Sequence, residues 1–114
     1  MNWEELSEKI DKKINIGTEI PKAENGHRPV TRKKGVRIYM RTGVKTNSEK
    51  FITNEMIRYA YETIQSGKIF ISKGLRLKFP KEYSQGGCVF SMAGGILVFF
   101  KIAKYIPHIG YKQD

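Results

Sequence analysis

Cys88-Val89-Phe90-Ser91-Met92-Ala93-Gly94-Gly95-Ile96-Leu97-Val98-Phe99-Phe100 is almost wholly apolar and carries no charged residue. How it folds decides the architecture of the C-terminal half. Gly94-Gly95 argues against a stable isolated helix, since each glycine costs about 1 kcal/mol relative to alanine. Strand, turn and strand is one reading, and a single helix is the other. The helix is preferred because it completes an order of elements set by its neighbours.

Upstream, residues 53–66 have the clearest helical pattern in the chain. Thr53 is a natural N-cap and Glu55 falls in the first turn. Met56, Ile57, Ala60, Tyr61 and Ile64 form one apolar stripe, and Ser66-Gly67 supplies a C-terminal stop. Lys68-Ile69-Phe70-Ile71 is β-prone. Ser72 can cap a helix over about residues 73–79, with Leu75 and Phe79 inward and Pro80 ending it. Residues 80–87 read as a turn region. Beyond residue 100, Ile102 to Lys112 reads as a short hairpin around Pro107-His108-Ile109-Gly110.

The N-terminal part reads differently. Trp3, Leu6 and Ile10 share the face of a short helix over residues 2–13, with Asn2 as N-cap. Residues 14–52 read as extended, with turns at Asn25-Gly26 and Lys34-Gly35. Val36, Ile38 and Met40 alternate with Arg37, Tyr39 and Arg41, which puts two arginines and a tyrosine on one strand face. Residues 41–50 read as a polar loop. The expected class is α+β: an N-terminal helix and basic β-hairpin element over 1–50, then a second unit over 51–114.

Helix, short strand, helix, turn, helix, hairpin over residues 53–112 resembles the winged helix-turn-helix, a DNA-binding fold. The resemblance rests on Thr53–Ser66, Ile69–Ile71, Ser72–Phe79 and the stretch Gly94 to Lys104. It implies a third helix in the major groove, whose neighbourhood would supply Ser84, Gln85 and Ser91 to base edges. It also implies phosphate contacts from Lys73, Arg76, Lys78 and Lys81, with Lys104 and His108 in the wing. The third helix departs from the pattern, because it contains no Lys or Arg. Its apolar residues fit a core or a contact with a protein partner.

Charge points the same way by a separate route. The 114 residues carry a net charge of +10. Residues 1–27 are net −2, residues 28–50 net +7 and residues 51–114 net +5. The middle segment holds eight Lys or Arg against one Glu. Such a concentration attracts polyanions, and phosphate contacts supply sequence-independent affinity through counterion release. Arg32, Lys33, Lys34, Arg37, Arg41 and Lys45 are the expected phosphate ligands, and Tyr39 is placed to stack on a base. A solvated edge strand whose charges discourage aggregation is the bland alternative.

Catalytic signatures are missing. Asp occurs only at positions 11 and 114, His27 and His108 lie far apart, and Cys88 has no His nearby in sequence. No P-loop or dinucleotide-binding spacing occurs among the glycines. The expectation is a non-enzymatic protein with no cofactor and no metal. Met1-Asn2-Trp3-Glu4-Glu5-Leu6 is not a signal peptide, and one cysteine fits a reducing compartment. The longest purely apolar run, Ile96 to Phe100, is far short of the about 20 residues of a membrane helix. A cytoplasmic location is expected, or a nuclear one in a eukaryote. DNA is the preferred partner, with RNA behind it. The rival reading is a small phage or mobile-element protein that inhibits a nucleic-acid enzyme, using the 88–100 stretch as a protein contact.

Overall fold

The computed structural model describes residues 1–43 and 48–114. Helix α1 (Trp3–Lys13) precedes four strands, β1 (Glu19–Pro21), β2 (His27–Lys34), β3 (Arg37–Arg41) and β4 (Glu49–Thr53). Four helices follow: α2 (Asn54–Gln65), α3 (Ser72–Lys78), α4 (Pro80–Tyr83) and α5 (Cys88–Phe99). Strands β5 (Ala103–Ile106) and β6 (Gly110–Gln113) end the chain. β1 to β4 form one antiparallel sheet in chain order, and β5 and β6 form a separate hairpin. The class is α+β.

Local chemistry explains the helix starts. The Asn2 side chain accepts a hydrogen bond from the Glu5 amide, and Thr53 accepts one from Met56. Each satisfies an amide that the first helical turn leaves free. All five stripe residues of α2 are buried. In the β1–β2 turn, Gly26 adopts φ +84°, where a side chain would be strained.

Residues 88–99 are a helix, which settles the ambiguity of the apolar stretch. Val89 and every residue from Ser91 to Leu97 are buried. A helix that is apolar all round needs partners on every side, and α5 has them. It packs on α2, on β1 and β4, and on β5. The two glycines give it flat sides. A Cβ on Gly94 would overlap the Tyr111 ring, and one on Gly95 would lie 2.5 Å from the Pro21 carbonyl oxygen. The cost in helix propensity is offset by this close approach.

Several expectations need correction. β4 begins at Glu49, inside the segment read as a loop, and pairs with β3 from Arg41↔Glu49 to Arg37↔Thr53. Only Ile52 of β4 is fully buried, so the strand shows little alternation in sequence. Val36 sits exposed in the β2–β3 turn and does not share the inner face of Ile38 and Met40. Pro80 opens α4 as its first residue, a position where proline's missing amide costs nothing. The boundary at 50/51 falls within β4, and one core runs from Leu6 to Tyr111. The β-prone piece 68–71 contributes one bridge, from Phe70 to Tyr111 of β6.

Candidate nucleic-acid interface

The β-sheet has two unlike faces. Val30, Ile38, Met40 and Ile52 point into the core. On the other face, strand register brings Arg32 opposite Tyr39, Lys34 opposite Arg37, and Tyr39 opposite Phe51. An irregularity between Val30 and Arg32 shifts the register there. Such a bulge re-aims the side chains that follow it. Arg32, Lys34, Arg37 and Arg41 are all exposed.

Two of these arginines are stacked on aromatic rings. The Arg32 guanidinium lies 4.0 Å from the Tyr39 ring centroid, and that of Arg37 lies 4.2 Å from the Phe51 centroid. Tyr39 and Phe51 pack against each other at 5.4 Å. Arg37 also donates a 3.3 Å hydrogen bond to the Tyr39 hydroxyl. Stacking leaves the edges of a guanidinium free to donate. The result is two positively charged forks held over an aromatic pair.

Glu49 is the acid of this face. Its carboxylate accepts from the Thr31 hydroxyl at 2.6 Å and from Arg32 Nη2 at 2.8 Å. The Thr31 bond, with help from Arg32, holds the Glu49 carboxyl below its ordinary pKa against a smaller desolvation effect. Register places Glu49 directly opposite Arg41, yet the carboxylate turns across β3 to Thr31 and Arg32. Among the described residues Arg41 therefore has no ion-pair partner.

Other expected site residues are used otherwise. Tyr39 is only 9% exposed beneath Arg32, so its ring is not a free platform for a base. Lys33 points to the opposite side, where its amine donates to the Asp11 carbonyl at 3.2 Å and faces the Asp11 carboxylate at 3.9 Å. Gln85 gives its amide to β4: Oε1 accepts from the Phe51 amide and Nε2 donates to the Phe51 carbonyl, each at 2.9 Å. Ser91 is buried, donates to the Cys88 carbonyl and accepts from Arg28 Nη1 at 2.9 Å. Neither Gln85 nor Ser91 is presented for base reading. The physical reason is the enclosure of α5, which leaves no helix face for a groove. The same enclosure makes Val89 and residues 91–97 core, and leaves Cys88, Phe90, Val98, Phe99 and Phe100 of the apolar stretch half-buried.

Lys73, Arg76 and Lys81 are exposed on α3 and α4, which pack on α2 and α5. Lys104 is exposed on β5. Lys45 lies outside the described residues. Arg28 and Lys112 were missed in the sequence. Lys112 was within reach of period-two reading, because it alternates with the aromatic Tyr111 on β6. Arg28 gave no signal, since its partner Ser91 is 63 residues away.

Comparison with protein-family models, with curated proteins and with solved structures finds no match. The chemistry of the site therefore rests on the geometry alone. Among the described residues no helix is long and apolar enough to cross a membrane, and no three His, Cys, Asp or Glu side chains converge as a metal site would need. What the sheet face offers is fixed positive charge with planar, multiply donating heads. That is the donor set for phosphate oxygens.

Proposed function

We propose that the protein binds nucleic acid, with double-stranded DNA as the preferred form, through phosphate contacts from the outer face of β2–β4. The observation that carries this is the exposed set Arg32, Lys34, Arg37 and Arg41 opposed by the single carboxylate of Glu49. Stacking holds two of the guanidiniums in place before any ligand arrives, so less side-chain entropy is lost on binding. The covered state of Tyr39 favours backbone contacts over base stacking, and so duplex over single-stranded RNA.

The order α2, α3, α5 and β5–β6, with the Phe70–Tyr111 bridge tying the 68–71 piece to the hairpin, supports a winged-helix reading of residues 53–112, and α4 is an addition to that order. The buried third helix departs from it. Any affinity is accordingly assigned to the sheet, and sequence reading by α5 is not part of the proposal.

Fluorescence anisotropy with a labelled DNA duplex at low and moderate salt tests this function. Arg37→Ala combined with Arg41→Ala is expected to weaken binding to unrelated sequences alike. It should flatten the slope of log affinity against log salt by about 2, near 0.9 for each lost phosphate contact. Absence of duplex binding by the unmodified protein at low salt would sink the proposal.

A further inference from the structure

Two neighbouring donors of β2, Thr31 and Arg32, are both taken by one carboxylate, that of Glu49. Consecutive residues of a regular strand point to opposite faces. The irregularity between Val30 and Arg32 breaks that alternation, so both side chains reach the same acceptor. Thr31 Oγ1 donates to Glu49 Oε2 at 2.6 Å, and Arg32 Nη2 donates to Oε1 at 2.8 Å. A hydroxyl beside a guanidinium fixed over the Tyr39 ring is a donor pair that suits a phosphodiester as well as a carboxylate.

The fold holds Glu49 at these donors. The Thr42 amide donates to the Ser48 carbonyl at 2.8 Å, and the strand register continues from Arg41↔Glu49. Thr31, Arg41, Ser48 and Glu49 line one recess of about 280 Å³. The Glu49 side chain is only 31% exposed, and the Thr31 bond, with help from Arg32, favours its ionised form. Arg41 therefore shares its recess with a fixed negative charge. A phosphate drawn to either Arg32 or Arg41 meets the carboxylate that already occupies the first of them.

We infer that Glu49 is a built-in competitor for phosphate: it occupies the Thr31–Arg32 donor pair, keeps Arg32 out of the duplex contact, and holds the affinity of the β2–β4 face below what its cations can supply. This rests on the binding function proposed above and refines the part of Arg32 in it. Lys34, Arg37 and Arg41 carry the contact in the unmodified protein. Arg32 joins them when the carboxylate is neutralised. Fewer phosphate contacts make binding weaker and less steeply dependent on salt.

Glu49→Gln tests this by duplex anisotropy, since the amide keeps an oxygen for the Thr31 hydroxyl and loses the charge. Affinity at low salt is expected to rise by about five- to tenfold, and the slope of log affinity against log salt to steepen by about 0.9, the mark of one added phosphate contact. Any acid on a binding face repels phosphate, so Arg32→Ala is needed to separate competition from net charge. In the unmodified background it should weaken binding by about twofold, through lost charge alone, and leave the slope unchanged. In the Glu49→Gln background it should weaken binding by about fivefold or more and remove the added slope.

Nuclear magnetic resonance gives a check that needs no variant. On addition of duplex to the unmodified protein, the side-chain N–H resonances of Arg37 and Arg41 should shift and that of Arg32 should not. Three results would each overturn the inference and leave the binding function standing: no tighter binding by Glu49→Gln, equal losses from Arg32→Ala in both backgrounds, or an Arg32 resonance that shifts with the others. No duplex binding by either the unmodified or the Glu49→Gln protein at low salt would remove the binding function and the competitor together.

Discussion

A methyl group at Gly94 has nowhere to go. Helix propensity alone favours alanine there by about 1 kcal/mol. The Tyr111 ring occupies the space a Cβ would fill, and that ring is held by Phe70, Phe90 and Tyr105. Overpacking a close-packed site typically costs about 1–3 kcal/mol, so packing outweighs propensity. Gly94→Ala is expected to destabilise the protein by up to about 2 kcal/mol net, a drop of up to about 10 °C in a thermal melt followed by circular dichroism. A melting temperature at or above the original would show that the ring is not seated on Gly94. The Tyr111 hydroxyl is buried with no hydrogen-bond partner among the described residues, and burial raises its pKa, with Tyr105 adding to the rise and Arg28 opposing it. The phenol therefore stays neutral, and its fit is one of shape. Two adjacent glycines in an apolar run pointed in the sequence to a weakened helix, because the groups that fill the gaps, the Tyr111 ring of β6 and the Pro21 carbonyl and Ile20 side chain of β1, lie far away along the chain.

Elements were legible where one segment alone fixes both pattern and burial. α2 shows this best: its cap, its stripe and its stop lie within fifteen residues, and all appear in the structure. β4 was hidden for the opposite reason. It is an edge strand whose pairing partner is β3 and whose free edge is closed by a side chain from beyond α4. The Gln85 amide takes both the amide and the carbonyl of Phe51, as a fifth strand would, and also donates to the Glu82 carbonyl at 3.0 Å. An open strand edge invites pairing with another chain, so this residue also guards against self-association. Gln85→Ala removes three hydrogen bonds, each worth about 0.5–1.5 kcal/mol net. We expect a lower melting temperature and concentration-dependent association in light scattering. Duplex affinity, measured below the melting transition, should be unchanged. A selective loss of duplex affinity with normal stability would instead make Gln85 a nucleic-acid ligand.

At the scale of the whole molecule, the location of the charge was legible and its direction was not. Of the basic residues in 28–50, Arg32, Lys34, Arg37 and Arg41 lie exposed on the outer face of β2 and β3. Which of them face outward depends on the bulge in β2 and on partners from distant segments, Glu49 for Arg32 and Asp11 for Lys33. The same distribution sets how stability responds to salt. Among the described residues the ion pairs are Arg32–Glu49, Lys33–Asp11 and Arg58–Glu62, against a net charge of +10. Exposed pairs of this kind contribute about 0–1 kcal/mol each. Repulsion among the remaining cations acts across a body only 26–37 Å wide. The screening length falls from about 30 Å at 0.01 M salt to about 8 Å at 0.15 M, so added salt weakens long-range repulsion more than short pair contacts. Raising sodium chloride over that range should increase the melting temperature by about 2–5 °C, the response of a self-repelling cation. A melting temperature that falls with salt would mean that the three pairs outweigh the repulsion.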